Sequence, residues 1–191
     1  MFFHEVTGYN IILMYSSKIF NKLKNEDGEH SFKGRQGTEI MGLINLVFAI
    51  VALSLVKRIG RRTLLLWGHA GMSISFGFFA YFSIHNNDIG ALAMIMFFLM
   101  FYQCSSGPVA WMYAAETTID AAFGIVLLVL WSTILGIAYA IPLLMSGNSL
   151  GTTGVFILFS LFCGLGGFYM YFFIKETRGL SDKEKKEIFL K

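Results

Sequence analysis

Residues 89–115 read IGALAMIMFFLMFYQCSSGPVAWMYAA and contain no charged side chain. A helix needs about 20 predominantly apolar residues to cross the hydrocarbon region of a bilayer, so this stretch is long enough to span it. Only helices and closed barrels satisfy every backbone polar group in lipid, and the stretch lacks the period-2 alternation of a barrel strand. It is therefore predicted to be a transmembrane helix.

The rest of the chain has the same character. Of its 191 residues, 55% are hydrophobic and only 14% are charged, and the mean hydropathy is +0.63. The charges lie in short clusters between apolar runs, which excludes an ordinary soluble domain. No stretch mixes basic and aromatic residues on a polar background, so a nucleic-acid partner is not expected. Both cysteines, Cys104 and Cys163, fall inside apolar runs and do not frame a disulfide fold.

These patterns predict an all-α membrane protein with one domain of six transmembrane helices over residues 1–191. The predicted spans are about 1–20, 40–56, 63–84, 89–115, 121–145 and 154–174, followed by a tail at 175–191. Counted over alternate connectors, ten Lys and Arg residues lie on one side and five on the other. The positive-inside rule then predicts that both termini and the tail are cytoplasmic. The plasma membrane is the expected location, with an internal membrane as the alternative.

The first span carries polar residues that are costly in lipid, namely His4, Glu5, Asn10 and Tyr15. On an ideal helix Glu5 and Asn10 point about 140° apart and share no face. They can converge if the helix unwinds near Thr7 and Gly8, as broken transporter helices do at binding sites. The alternative is that His4 and Glu5 lie at the water interface. The chain also enters this span at its first residue without a basic flank, which suggests a fragment of a longer protein.

Two further spans carry polar groups at mid-depth. In the second span, Asn45 either binds a neighbouring helix or lines a cavity. In the fourth span Gln103, Gly107 and Trp111 form one stripe at i, i+4 and i+8, and Pro108 predicts a kink. An amide and an indole on a kinked helix suit a neutral polyhydroxylated ligand. The alternative is a proline kink with the indole at a helix contact.

Complementary charges stand at the predicted cytoplasmic ends of the spans. Arg61 and Arg62 follow the second span, Glu116 closes the fourth, and Glu176 follows the sixth. Arginine and carboxylate groups can form bidentate pairs, and a set of them could latch one conformation. Exposed pairs contribute only about 0–1 kcal/mol, so the latch requires burial.

Four motifs, taken together in this order, resemble the sugar-porter (hexose transporter) family of the major facilitator superfamily, in its carboxy-terminal six-helix half. Residues 4–10, HEVTGYN with Tyr15 beyond, resemble Q-Q-x-x-G-x-N…Y-Y, and residues 57–62, KRIGRR, resemble D/E-R-x-G-R-R. Residues 107–111, GPVAW with Glu116 beyond, are similar to G-P-x-x-W…E. Residues 175–179, KETRG, are similar to P-E-T-K-G.

The resemblance implies transport of a hexose or related sugar by alternating access, with or without proton coupling. It implies that Asn10, Asn45, Gln103 and Trp111 face the sugar, with Glu5 and Tyr15 as further candidates from the same motif. It also implies that Arg61, Arg62, Glu116 and Glu176 form an inner gate network. The partners expected are a small-molecule sugar, the lipid bilayer, and a missing amino-terminal half or a second copy. No enzyme activity, cofactor or metal is expected.

The chain departs from the family pattern at several motif positions. His4 and Glu5 replace both motif glutamines, and Lys57 and Lys175 replace an acidic residue and a proline. These departures leave open a non-transporting protein that senses sugar. An intramembrane serine protease is disfavoured, because Ser105 lacks the preceding glycine of a G-x-S-x-G setting.

Overall fold

A computed structural model describes residues 1–14, 34–118, 120–145, 150–180 and 184, with only the backbone for residues 34, 35, 120 and 121. Tyr15, the end of the first predicted span and most of the tail lie outside the described residues. The helices are α1 (Phe2–Glu5), α2 (9–14), α3 (Gly34–Ile59), α4 (Arg61–Ile84), α5 (Asp88–Cys104), α6 (Ser106–Thr117), α7 (Asp120–Leu144) and α8 (Gly151–Phe173).

The described part of the chain is all-helical and contains no strand, as the sequence predicts for a membrane protein. Five helical stretches are long and apolar enough to cross a bilayer, at Gln36–Ile59, Arg61–Ile84, Asp88–Thr117, Ala122–Leu144 and Gly151–Phe173. The predicted span at 1–20 is described only in part, so the count of six spans remains a prediction. Trp67, Leu135 and Tyr139 are each more than two-thirds exposed, which suits an apolar solvent.

Helix α4 lies at the centre of the structure and packs against both α5 and α8. Small residues on α4 allow this close approach, as they do between membrane helices in general. A Cβ atom added at Gly68 would lie 1.7 Å from the Ser105 hydroxyl, and one at Gly71 would lie 2.5 Å from the Phe101 ring. Bulk at either position would therefore push α5 away from α4.

Reciprocal hydrogen bonds join α4 to α8. The Ser73 hydroxyl donates to the Ser160 carbonyl at 2.8 Å, and the Ser160 hydroxyl donates to the Ser73 carbonyl at 2.7 Å. Both serines therefore satisfy their polar atoms within the helix pair instead of exposing them to an apolar environment. Next to this pair, Phe76 stacks on Phe98 of α5 and contacts Phe156 and Phe159 of α8, so one aromatic core holds three helices together.

The long apolar stretch at Asp88–Thr117 is interrupted at Ser105, which has φ −130° and ψ −88° and separates α5 from α6. Pro108 lacks an N–H group and cannot donate to the carbonyl of Cys104, so the regular ladder cannot continue through this point. The Ser105 N–H group bonds to the Tyr102 carbonyl, and the Ser105 hydroxyl donates to the Phe101 carbonyl at 2.6 Å. The interruption leaves α6 as a separate short helix that begins at Ser106.

Replacing Gly68 with alanine tests the packing of α4 against α5. Because the new methyl group overlaps the Ser105 side chain, we expect Gly68→Ala to destabilise the protein by about 1–3 kcal/mol. The measurement is the temperature at which the detergent-solubilised protein loses its monodisperse peak in size-exclusion chromatography. Gly124→Ala is the matched control, because a Cβ atom there meets nothing within 4 Å. Equal thermal midpoints for the two variants would contradict the close approach.

Candidate functional site

The first helix is broken between α1 and α2. Residues 6–8 leave the helical ladder, and Gly8 adopts φ +85°, a conformation that residues with a side chain rarely adopt. A Cβ atom at Gly8 would also lie 3.0 Å from the Phe159 ring of α8. The Thr7 hydroxyl donates to the His4 carbonyl at 2.7 Å, which satisfies one of the backbone groups that the break releases.

The break brings Glu5 and Asn10 together. The Nδ2 atom of Asn10 donates a hydrogen bond to Oε2 of Glu5 at 2.5 Å. Glu5 is buried and Asn10 is half-buried, so the amide lies between the carboxylate and the more open part of the site. An uninterrupted helix would have held the two side chains on different faces.

His4 occupies the centre of a buried polar cluster. Its Nδ1 atom lies 3.0 Å from the Ser106 hydroxyl, and its Nε2 atom lies 3.2 Å from the Tyr102 hydroxyl and 3.5 Å from Oε1 of Glu5. Ser106 is the first residue of α6, and Tyr102 belongs to the last turn of α5. His4 therefore contacts the chain on both sides of the interruption at Ser105.

Aromatic rings surround this cluster. Tyr9 stacks on Tyr102 with their centroids 3.9 Å apart and their planes at 10°. Trp111 of α6 meets the His4 ring edge to face at 6.2 Å, and 38% of Trp111 stays exposed. Ring faces and an exposed indole next to amides offer both apolar contact and hydrogen bonds, the combination found in small-molecule sites.

Gln103 and Asn45 form a second pair, between α5 and α3. The side-chain nitrogen of Gln103 lies 3.5 Å from the backbone carbonyl oxygen of Asn45, at the limit of a hydrogen bond. The Gln103 side chain lies against Gly107, where an added Cβ atom would be 2.6 Å from its Oε1. Oε1 of Gln103 therefore occupies the space that a side chain at 107 would need. Oδ1 of Asn45 is buried and meets no donor among the described residues.

A separate cluster lies at the other end of α6, around the carboxylate of Glu176. This carboxylate accepts the backbone N–H groups of Arg61 at 2.9 Å and Arg62 at 3.2 Å, at the first turn of α4. It also accepts the N–H groups of the next two residues along the chain, each at 3.1 Å. Gly60 has φ +91°, and a Cβ atom there would lie 2.8 Å from the carboxylate. The negative charge therefore caps the positive end of α4.

Side chains extend this cluster to α6 and α8. Arg61 donates to Oε1 of Glu116 at 2.9 Å, and Oε2 of Glu116 accepts from the Thr177 hydroxyl at 3.1 Å. Arg62 donates to the Tyr171 carbonyl at 2.7 Å and lies 5.6 Å from the centre of its ring. The Arg61 and Glu116 side chains are only 16% and 17% exposed, so solvent screens this pair less than a surface pair.

The structure thus groups the sequence-predicted residues into three sets. In the first set, Glu5 and Trp111 contact His4, and Asn10 bonds to Glu5. In the second, the Gln103 side chain reaches the backbone carbonyl of Asn45. The third is the cluster at the far end of α6, formed by Arg61, Arg62, Glu116 and Glu176. Tyr15 cannot be placed, because it lies outside the described residues. Within the described ranges, no three His, Cys, Asp or Glu side chains lie close enough to hold a metal ion.

Sequence reasoning left three central residues out of the site, namely His4, Tyr9 and Tyr102. Each lies next to a residue that was included: His4 precedes Glu5, Tyr9 precedes Asn10, and Tyr102 precedes Gln103. His4 was named among the polar residues of the first span, with a position at the water interface as the alternative, but it was given no place in the site. Their polar character inside an apolar span was the signal available.

Comparison with known proteins places the chain among transporters. The family model "Sugar (and other) transporter" matches residues 1–189. The chain is 30% identical to the probable metabolite transport protein CsbC of Bacillus subtilis (strain 168), over 95% of this chain and 40% of CsbC. It is 33% identical to the glucose transporter GlcP of Staphylococcus epidermidis, over 95% of this chain and 41% of GlcP.

A solved structure shares the fold. The proton:xylose symporter XylE of the major facilitator superfamily, bound to 6-bromo-6-deoxy-D-glucose, matches all of this chain with a TM-score of 0.87 and 26% identity. The chain covers 41% of XylE, so it corresponds to less than half of the relatives described above. The chain belongs to the sugar (and other) transporter family and has the fold of one half of a major facilitator superfamily protein.

Proposed function

We propose that the chain is the carboxy-terminal half of a transporter that moves a hexose or related sugar across a membrane by alternating access. The observation that carries the proposal is the break in the first helix at residues 6–8. It gathers Asn10, Glu5 and the exposed Trp111 ring around one buried cluster. Broken helices that deliver polar groups to mid-membrane are the usual construction of transporter binding sites.

The chemistry of the site suits a neutral polyhydroxylated ligand. Asn10 and Gln103 supply amide groups that can donate and accept hydrogen bonds, and Asn45 supplies Oδ1, an acceptor that meets no donor within the part of the chain that the structure describes. The Trp111 indole supplies an apolar surface for the ring face of a sugar. Two of the relatives named above are a glucose transporter and a xylose symporter, which supports a monosaccharide as the substrate.

The proposal includes a second half that completes the cavity. The chain covers only 40% and 41% of the length of its bacterial relatives. A bundle of six helices offers one wall of a central site, whereas alternating access requires a second bundle to rock against it. An amino-terminal half in the same protein is the simplest partner, and a second copy is the alternative. Both termini of the half would lie in the cytoplasm, following the distribution of Lys and Arg.

The cluster around Glu176 is proposed to be the inner gate. It joins the start of α4, the end of α6 and the segment after α8, at the end of the bundle that carries most of the basic residues. The Arg61–Glu116 ion pair is partly buried, and Glu176 accepts backbone N–H groups from both the start of α4 and the segment after α8, so these contacts favour one arrangement of the three segments. Transport would then require that this arrangement loosen and re-form in each cycle.

The role of Trp111 can be tested by replacing it with alanine in the complete transporter. Since loss of a stacked ring removes about 1 kcal/mol or more of contact energy, we expect a five- to tenfold weaker affinity for the transported sugar. Affinity and uptake are measured in proteoliposomes with radiolabelled D-glucose and D-xylose. The matched control is Trp67→Ala, because Trp67 is 72% exposed on the outer face of α4.

Two outcomes would contradict the proposal in different ways. Equal affinities for Trp111→Ala and Trp67→Ala would remove the indole from the site. Binding of sugar by the unmodified protein with no uptake or exchange would instead favour a sugar sensor over a transporter.

The gate can be tested by neutralising Glu116. Glu116→Gln removes the charge that pairs with Arg61 but keeps the shape, so we expect the maximal transport rate to fall about tenfold while sugar still binds. Rates are measured by counterflow in proteoliposomes, and binding by calorimetry. Lys57→Gln is the control, because Lys57 is an exposed charge near the same turn. A rate for Glu116→Gln equal to that of Lys57→Gln would exclude a gating role for the pair.

A further inference from the structure

His4 and Glu5 form a titratable pair that is closed off from solvent. Their side chains are 3% and 4% exposed, and Nε2 of His4 lies 3.5 Å from Oε1 of Glu5. An ionised carboxylate is costly at such a depth unless a cation or several donors accompany it. Among the described residues, Glu5 has one amide donor, Asn10, and its neighbours that can carry a positive charge are the His4 imidazole and the Met1 amino group.

Among the described residues, the side chains that contact the pair include no further carboxylate, lysine or arginine. Tyr102 of α5 and Tyr9 of α2 face it with neutral phenols, and Cys163 of α8 lies against the Thr7 carbonyl. His69 of α4 is a second imidazole that interacts electrostatically with His4, and its ring lies against Gly166 of α8. Helix α7 packs against α1, and its residues 122–144 contain no acidic or basic residue. The amino group of Met1 also interacts with Glu5.

We propose that His4 and Glu5 form a proton-binding site, and that sugar binding is coupled to the uptake of one proton by this pair. The inference rests on the proposed function, because it assigns a second ligand to the same site. A pair with one proton is electrically neutral, whether the proton lies on the carboxyl group or on the imidazole beside the carboxylate. The dry surroundings therefore favour the state with one proton over the state with none.

Asn10 provides the link between proton and sugar. Its amide N–H donates to Oε2 of Glu5 and stabilises the ionised carboxylate. A sugar hydroxyl that accepts this N–H group takes the donor away from Glu5. The carboxylate then gains by binding a proton from solvent: an O–H bond forms on Glu5, the Asn10 hydrogen bond passes from Glu5 to the sugar, and no other covalent bond forms or breaks. Sugar and proton therefore stabilise each other on the pair, as reciprocal coupling between two ligands requires.

A cavity offers the proton an approach to His4. A space of about 280 Å³ lies between α1, α4, α6 and α8 and is lined by His4, Leu65, Tyr113 and Ile174, among others. Its far end reaches Tyr113, whose hydroxyl accepts the backbone N–H of Lys175 at 3.2 Å beside the Glu176 cluster. The lining of the cavity thus runs from His4 to residues beside the cluster at which the gate is proposed.

The test is the pH dependence of sugar affinity in the complete transporter. Calorimetric titrations with D-glucose, D-xylose and trehalose are run between pH 5 and pH 9. Each titration is repeated in buffers with different ionisation enthalpies, because the change in the measured heat gives the number of protons taken up. Because the protonated pair binds sugar, we expect Kd to be flat at low pH and to rise about tenfold per pH unit above a midpoint. Glu5→Gln restores the glutamine of the family motif and should abolish this dependence. Glu39→Gln, which neutralises an exposed carboxylate of α3, should retain it.

The outcomes separate this inference from the proposed function. Binding with a pH-independent Kd, or a pH dependence that survives in Glu5→Gln, overturns the proton site and leaves sugar transport standing. Absence of binding for all three sugars at every pH overturns the proposed function and the proton site with it. If Glu5→Gln does not fold, His4→Gln replaces it, with an expected displacement of the pH midpoint by about one unit or more.

Discussion

Where a helix breaks or ends in an apolar environment, its backbone polar groups must find other partners, and three such points in the described part of the chain show how they do so. At residues 6–8, the Thr7 hydroxyl donates to the His4 carbonyl, and the Gly8 N–H group donates to the Glu5 carbonyl. At Ser105, a hydroxyl bonds to the carbonyl four residues before it. At Gly60, the Glu176 carboxylate accepts the first N–H groups of α4. The first two solutions are local, within four residues, whereas the third joins parts of the sequence more than 100 residues apart.

The two interruptions in the bilayer-crossing region face each other, and the polar cluster is the result. His4, on one side, bonds to Ser106 and Tyr102, which flank the other break. An unbroken first helix would point Glu5 and Asn10 to different faces. The site is therefore a consequence of broken helices that meet, and its buried polar groups are satisfied mainly by one another.

Sequence reasoning reached the family and the helical class, both of which the comparisons confirm, because long uncharged runs and spaced motifs are local features. It also named Thr7 and Gly8 as a point where the helix could unwind, since glycine tolerates positive φ. It could not identify His4 or Tyr102 as the centre of the site, because that role depends on which residues two kinked helices turn toward each other. Nor could it show that Glu176 caps α4, since the cap depends on the path of the chain after α8.

Helix α6 connects the two functional clusters. It begins at Ser106, which bonds to His4, and it ends one residue after Glu116, which pairs with Arg61. A helix of 12 residues is a stiff rod of about 18 Å, so a rotation about the break at Ser105 would move its Glu116 end much farther than its Ser106 end. Trp111, in the middle of the same rod, touches the His4 ring. In the proposed transport cycle, a sugar that displaced the indole would turn this rod and so move Glu116 through covalent geometry and regular hydrogen bonds, without a chain of intermediate side chains.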